Sequence, residues 1–181
     1  CYSTKTMVAS VTKGMETDQE KVVAIYDFFR SVVYHHAYPE EKGAHVGTLK
    51  LINVYGWSLC GGQASCLMTL YGDAGYKTRY VGQPGHTTME VFYGGAWHYL
   101  DSFLKIVPFK KDGAIASQEE IRKDPSIVLR LEKDEAREVA WYPEFMPVKT
   151  RTGMDWSNAR PMLVCRDPAK GVVRGCSNHR V

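Results

Sequence analysis

Three residues in the middle of the chain carry the side chains that cysteine-nucleophile catalysis requires. Cys60 lies at the predicted start of a helix, and His86 and Asp101 lie on the two strands of a predicted hairpin that follows it. A thiolate can attack a carbonyl group, an imidazole can hold and transfer its proton, and a carboxylate can orient the imidazole. Residues 56–101 therefore predict a domain that performs acyl transfer through a cysteine.

The position of Cys60 in its helix predicts a reactive thiol. Apolar residues cover much of the circumference of a helix over residues 60–74, so this helix should be central and buried. The positive end of the helix dipole lowers the pKa of a cysteine at the N terminus, and a protonated His86 would lower it further. Gly61 is small enough to let a substrate approach the thiol. Cys66, six residues further along, is expected to be a core residue.

The hairpin predicts how the other two side chains meet. The dipeptide Gly94-Gly95 is a strong signal for a two-residue hairpin loop, and with this loop Glu90 pairs with Tyr99. Because side chains alternate between the faces of a sheet, His86 and Asp101 then share one face. They are diagonal neighbours, with Cβ atoms expected about 7–8 Å apart, a gap that an imidazole and a carboxylate can bridge.

Capping signals and helix breakers predict the elements before this region. Residues 1–16 are expected to be an extended lead-in, and Thr17-Asp18-Gln19-Glu20 is a capping box that begins a helix. The helix should end near Tyr38-Pro39, because a residue before proline is disfavoured in a helix. His35 and His36 would then lie at its C terminus, where an imidazolium complements the helix dipole.

Size and composition indicate one globular domain over residues 1–181. Hydrophobic residues make up 44% and charged residues 24%, which is typical of a folded domain. The net charge of +3 is too small, and the basic residues too scattered, to favour nucleic acid binding. No apolar run approaches the roughly 20 residues that span a bilayer. The cysteines and histidines lack the spacing of zinc ligands, so no metal or other cofactor is predicted.

Cysteines near the two ends bear on the cellular location. Cys165 and Cys176 flank a predicted turn in a terminal hairpin over residues 160–176, where a disulfide and two free thiols are both compatible with the sequence. A disulfide would indicate an oxidising compartment, which favours an extracytoplasmic or secreted protein over a cytoplasmic one. Cys1 is compatible with a lipidated end and with an arbitrary boundary of the sequence.

The spaced motifs of residues 50–105 resemble the transglutaminase-like core, a branch of the papain-like cysteine-protease fold. That family has a Cys that starts a helix, followed by Ala four residues on and Gly fifteen residues on, then a His with Glu four residues later, and a Trp with Asp four residues later. The matching residues are Cys60, Ala64, Gly75, His86, Glu90, Trp97 and Asp101. The resemblance implies Cys60 as nucleophile, His86 as base and Asp101 as the residue that orients the base.

The same resemblance implies an α+β fold in which the Cys60 helix packs on an antiparallel sheet, with residues 106–181 as an extension that the motifs do not cover. Animal transglutaminases have Gly-Gln-Cys-Trp where this chain reads Ser58-Leu59-Cys60-Gly61. Their calcium-binding segments and flanking β-domains also have no counterpart in 181 residues. The departures favour a microbial, bacterial relative.

The expected activity is hydrolysis of a peptide or related amide in a peptide or protein substrate. Two alternatives stay open at this point: a protein-glutamine transglutaminase with an amine acceptor, and a non-catalytic domain that binds peptide or glycan on the same scaffold. The backbone N–H of Cys60 is the expected first donor of an oxyanion hole. The second donor is expected from Trp57, with Asn53 and Gln63 as further candidates.

Overall fold

The computed structural model describes residues 3–39, 46–129, 160–167 and 171–174 of the chain. It begins with a short helix, α1 (Thr4–Val11), where the sequence predicted an extended lead-in. That prediction is wrong because Ser3 caps the helix, accepting a hydrogen bond from the Thr6 N–H at 3.1 Å, and because Met7 and Val8 are buried in the core. Residues 1 and 2 lie outside the described part of the chain.

Helix α2 (Asp18–Val32) begins at the predicted capping box but ends before Tyr38. Its β-branched end, Val32 and Val33, favours extended backbone over another helical turn. The chain continues as a short strand, β1 (Tyr34–His35), which pairs in parallel with β2 (Trp57–Ser58). The sequence had predicted that His35 lies at the C terminus of a helix, but it lies in a strand.

The segment before the Cys60 helix is more regular than a loop. Its described part contains a single helical turn, α3 (Thr48–Lys50), a π-helical turn (Leu51–Tyr55) and strand β2. Helix α4 (Cys60–Asp73) follows, and Gly75 turns the chain with φ +93° at its end. Helix α4 runs nearly the predicted length, and its apolar residues are buried as expected.

The main, five-stranded sheet is antiparallel throughout. Strands β3 (Lys77–Gln83), β4 (His86–Tyr93) and β5 (Ala96–Leu100) form consecutive hairpins, and the pairing of Glu90 with Tyr99 confirms the predicted register. Strands β6 (Arg160–Asp167) and β7 (Gly171–Arg174) form the predicted terminal hairpin, and β6 pairs with β3. The resulting order is β5-β4-β3-β6-β7, so part of the C-terminal extension completes the same sheet.

Both faces of the sheet are covered. On one face α1, α2 and α4 share a buried cluster with Met89, Val91 and Leu100 of the sheet. On the other face Val81 and Tyr99 pack with the segment after β5 and with two short helices, α5 (Gln118–Lys123) and α6 (Ser126–Leu129). This is the predicted α+β arrangement, with the Cys60 helix packed on an antiparallel sheet. No helix of the described residues is long and apolar enough to cross a membrane.

Candidate active site

The thiol of Cys60 lies where the N terminus of α4 meets the start of β4. Cys60 is the first residue of α4, and the residue before it, Leu59, provides no side-chain cap. The thiol is half-buried, and His86 and the backbone N–H of Thr87 lie close enough to lower its pKa. The first turn of the helix and the first residues of a strand thus place an imidazole and a backbone donor at the sulfur.

Asp101 holds the far side of the His86 imidazole. The Nε2 atom of His86 lies 2.6 Å from Oδ2 of Asp101, and Asp101 is fully buried. The Tyr99 hydroxyl donates to the same oxygen at 2.7 Å, while the N–H groups of Phe103 and Leu104 donate to Oδ1 at 3.0 and 2.9 Å. Burial alone would raise the pKa of Asp101, but the charge of His86 and these hydrogen bonds lower it. Asp101 is therefore held as a carboxylate.

The same contacts favour a thiolate–imidazolium pair. Burial alone would raise the pKa of Cys60, but hydrogen bonds from His35, His86 and the Thr87 N–H, with the charge of His86, lower it to about 6. Burial alone would lower the pKa of His86, but the charge and hydrogen bond of Asp101, followed by those of Cys60, raise it to about 10. Between these two values the sulfur is negative and the imidazole positive.

One ring nitrogen of His86 is left for the chemistry. Its Nε2 atom is bound to Asp101, whereas its Nδ1 atom is buried and has no hydrogen-bond partner among the described residues. Cys60 is close enough to this imidazole for each group to shift the pKa of the other. Catalytic hydrogen bonds are often long before a substrate is bound. Nδ1 is the atom that can exchange a proton with the thiol or with a leaving group.

His35 is the residue that the sequence analysis missed. Its side chain hydrogen-bonds to Cys60, and its ring lies 4.1 Å from the ring of Phe103, centroid to centroid. The His86 ring lies 4.9 Å from the same phenylalanine. The available signal was the run of Val32, Val33 and Tyr34, whose strand preference would have taken His35 out of the helix.

Two of the three candidates for the second oxyanion donor, Trp57 and Asn53, lie before α4. Trp57 is on β2, and its ring contacts those of Tyr34, His36 and Tyr55 at centroid distances of 6.2, 6.5 and 5.7 Å. Asn53 lies in the π-helical turn and is exposed. The structure places Trp57 in an aromatic cluster on the outer side of the β1–β2 pair.

Gln63, the third candidate, has a buried side chain that links two segments of the site. Its Nε2 atom donates to the Ser58 carbonyl at 2.9 Å, and its Oε1 atom accepts from the Ser102 hydroxyl at 2.8 Å. Ser58 comes just before the Cys60 helix, and Ser102 directly follows Asp101. Gln63 therefore fixes the position of the thiol relative to the carboxylate.

The glycines of the first turn of α4 are close to other side chains. A Cβ atom on Gly61 would lie 3.2 Å from the Tyr38 hydroxyl, and one on Gly62 would lie 2.0 Å from Oγ of Ser58. Real Cβ atoms essentially never approach another atom as closely as the second of these distances. Gly62 is therefore required for packing, and Tyr38 occupies part of the space that Gly61 was expected to leave for substrate.

The second cysteine of α4 differs from the first in every respect that matters for reactivity. Cys66 is buried, and this burial raises the pKa of its thiol to about 11 despite a hydrogen bond with Thr48. It was predicted to be a core residue, and it is.

Among the described residues, no group of three or more His, Cys, Asp or Glu side chains is arranged to hold a metal ion. Cys1, His45 and Cys176, and the side chain of Cys165, lie outside the described residues.

A sequence model of the transglutaminase-like superfamily matches residues 5–105, more than half of the 181-residue chain. Two solved structures are similar to it. One, described as a candidate cysteine protease from Cytophaga hutchinsonii, has 16% identity and a TM-score of 0.49 over 61% of this chain and 39% of that one. The other, described as a TGase, has 17% identity and a TM-score of 0.46 over 65% of this chain and 35% of that one. This chain thus spans well under half of either structure, and no curated protein matches it.

Proposed function

Because the chain belongs to the transglutaminase-like superfamily, whose members include papain-like cysteine enzymes, we propose that it hydrolyses a peptide or a related amide through Cys60, His86 and Asp101. One observation carries the proposal. A partly exposed thiol at a helix N terminus lies beside an imidazole, and one nitrogen of that imidazole is bound to a buried carboxylate at 2.6 Å. Each group has the partner that its role requires.

The proposed reaction begins from the thiolate–imidazolium pair. The sulfur of Cys60 attacks the amide carbon, so a C–S bond forms and an electron pair of the carbonyl moves to oxygen. The backbone N–H of Cys60 donates to this oxyanion. When the oxyanion collapses, the C–N bond breaks and His86 gives its Nδ1 proton to the leaving amine. Asp101 stays ionised and holds the ring in the orientation that this transfer needs.

The second half of the proposed reaction uses water. Neutral His86 takes a proton from a water molecule, whose oxygen attacks the thioester and releases the acid and the Cys60 thiolate. An amine could replace water only if the site excluded water from the acyl-enzyme. The half-exposure of Cys60 supports water as the acceptor, and hence a peptidase or amidase over a transglutaminase.

The first test is alkylation by limiting iodoacetamide between pH 5 and pH 11, with each cysteine quantified by mass spectrometry. We expect the rate at Cys60 to rise through pH about 6, the value to which its pKa is lowered. Cys66 provides an internal control that should react only when the protein unfolds. The His86→Ala variant should lose the reactivity of Cys60 at pH 6. Equal reactivity of the two thiols across the range would contradict the proposal and favour a binding domain.

The second test identifies the acceptor. Wild-type protein and the Cys60→Ala variant are incubated with casein, with and without dansylcadaverine, and both new amino groups and bound dansyl label are measured. We expect new amino groups with the wild-type protein alone. Label that enters casein faster than amino groups appear would overturn hydrolysis in favour of amine transfer.

A further inference from the structure

His35 and Trp57 lie on neighbouring short strands but on opposite sides of them. In the β1–β2 pair Tyr34 is opposite Trp57, and His35 is opposite Ser58. Successive side chains of a strand point to opposite faces. Trp57 accordingly contacts the rings of Tyr34 and His36, whereas His35 points to the side where Ser58 is buried and α4 begins.

Two observations place the His35 ring near the thiol. Its ring centroid lies 4.1 Å from that of Phe103, whose backbone N–H is held by Asp101. Its side chain also hydrogen-bonds to the sulfur of Cys60. Phe103 contacts the rings of both His35 and His86. One aromatic side chain, anchored by the carboxylate, therefore sets the positions of both imidazoles around one sulfur.

We propose that His35 is the side-chain donor of the oxyanion hole: its N–H holds the Cys60 thiolate in the resting protein and passes to the carbonyl oxygen of the substrate in the tetrahedral intermediate. The proposal rests on the proposed function, since an oxyanion forms only if Cys60 attacks a carbonyl. It assigns to His35 the role for which the sequence suggested Trp57.

The transfer of the hydrogen bond follows from where the charge moves. When the C–S bond forms, the sulfur loses its negative charge and the oxygen on the adjacent carbon gains it. A donor that already touches Sγ lies within reach of that oxygen and needs little reorganisation. His35 keeps its proton throughout, and the proton that the leaving amine receives comes from His86.

The surroundings of His35 suit a hydrogen-bond donor better than a second base. A general base of this kind is normally oriented by a carboxylate, as His86 is by Asp101. Within the described ranges, no carboxylate forms an ion pair with His35. Its ring instead lies against Phe103, which restricts the orientation of the imidazole.

The test compares His35→Met, which keeps a side chain to pack on Phe103 but has no donor, with His35→Gln, which keeps an N–H. His36→Ala is the matched control, because it removes the adjacent imidazole, which faces Trp57. The probe is 4-nitrophenyl acetate, with the burst of nitrophenolate read at pH 8, where Cys60 is ionised. Alkylation at pH 8 and thermal melting establish that each variant is folded with an accessible thiol.

We expect His35→Met to lower the acylation rate at pH 8 by about 10²–10³-fold, the usual effect of removing one oxyanion donor, with alkylation at pH 8 little changed. His35→Gln should recover at least a tenth of the wild-type rate, and His36→Ala should match the wild type.

Acylation by His35→Met equal to that of His36→Ala would overturn the proposal, even if the rate of Cys60 alkylation at pH 6 fell. Wild-type protein that gives no burst would instead contradict the proposed function itself. If His35→Met does not fold, a His35→Gln rate below a hundredth of the wild type would also overturn the assignment.

Discussion

Two fully buried carboxylates, Asp101 and Glu90, lie on the same face of one hairpin, but they are held in different ways. Asp101 accepts four hydrogen bonds, from His86, the Tyr99 hydroxyl and two backbone N–H groups. Glu90 accepts one from Nε of Arg79 at 2.7 Å and one from the Gln118 N–H at 2.7 Å. One carboxylate holds the His86 imidazole, and the other joins the sheet to helix α5.

The pKa values of the two carboxylates move in opposite directions. For Glu90 burial is the largest cause and raises the pKa, even though Arg79 is adjacent. For Asp101 the charge of His86 and the surrounding donors overcome the cost of burial and lower the pKa. The comparison shows that the cost of burial outweighs one counter-ion and one backbone donor at Glu90, whereas the charge of His86 and several directed donors outweigh it at Asp101. Both residues match the motif that the sequence resembles, but only Asp101 contacts His86.

The largest predicted effect separates the two carboxylates by activity. In Asp101→Asn, the two backbone donors hold the amide oxygen, so the NH₂ group faces Nε2 of His86. The imidazole must then carry its proton on Nδ1, where it cannot accept one from the thiol. We expect acylation by 4-nitrophenyl acetate to fall by about 10⁴-fold, the effect of the corresponding change in serine proteases.

Glu90→Gln is the matched control for that variant, because it also replaces a buried carboxylate on the same face with an amide. Its acylation rate per folded molecule should stay within a few-fold of the wild type. A loss of acylation rate as large as that of Asp101→Asn would show that acylation depends on Glu90 as much as on Asp101.

The next effect concerns stability. Arg79 stacks on the ring of Trp97, 4.1 Å from its centroid, and is the cationic partner of Glu90. Arg79→Met keeps apolar contact with the ring but leaves a buried carboxylate without its counter-ion, which typically costs about 3–5 kcal/mol. We expect urea denaturation to show a loss of this size, with the alkylation profile of Cys60 unchanged in the folded protein. The double variant Arg79→Met/Glu90→Gln should recover part of the stability, since no buried charge remains.

A smaller effect is a difference in how the two carboxylates couple stability to pH. The pKa of Asp101 is lowered by folding, so its contribution is present above its ordinary value and is lost as pH falls through the folded value. The pKa of Glu90 is raised by folding, so its effect is the reverse: stability decreases as pH rises from the ordinary value through the folded value.

Urea denaturation of the wild type and of Glu90→Gln between pH 4 and pH 7 measures this effect. Relative to the wild type, Glu90→Gln should gain stability as pH rises. The wild type must ionise the buried Glu90 carboxyl over this range, and the variant has no such group. Parallel curves for the two proteins would show that Arg79 compensates the charge of Glu90 fully.

The sequence was sufficient for the parts of the fold that local signals determine. The loop at Gly94-Gly95 fixed the register of β4 and β5 and hence the meeting of His86 with Asp101. The capping box at Thr17 fixed the start of α2. In both places interactions between residues close in sequence allow few other backbone conformations, so the sequence pattern and the structure agree.

Non-local pairing explains what the sequence did not reveal. The end of α2 and the strand position of His35 depend on a parallel pairing with β2, more than twenty residues later, which no local pattern records. Two of the four donors around Asp101, the N–H groups of Phe103 and Leu104, likewise come from a turn that a bridge between Asp101 and Ile106 closes. Residues that act through such contacts are missed when each segment is considered alone. The predictions of an extracytoplasmic location and of a single domain over the whole chain stay predictions.

The smallest predicted effect tests whether the donors around Asp101 act individually. Tyr99→Phe removes the hydroxyl that donates to Oδ2 and that accepts from Nε2 of Gln83 at 2.9 Å. Three donors to Asp101 remain, so the carboxylate should stay ionised at neutral pH. Losing one hydrogen bond to a charged group typically costs about 1.5–3 kcal/mol. Most of this cost should appear in the free energy of unfolding, because the thiolate–imidazolium pair keeps its carboxylate.

We therefore expect Tyr99→Phe to lower the acylation rate by less than tenfold and to leave the onset of Cys60 alkylation near pH 6. Thr88→Val is a suitable control, since it removes another buried hydroxyl on this face, one that donates to the backbone oxygen of Leu100 at 2.6 Å and not to Asp101. A Tyr99→Phe rate as low as that of Asp101→Asn would show that one directed donor, and not the set of four, keeps the carboxylate charged. In that case the difference between Asp101 and Glu90 would depend on the Tyr99 hydroxyl alone.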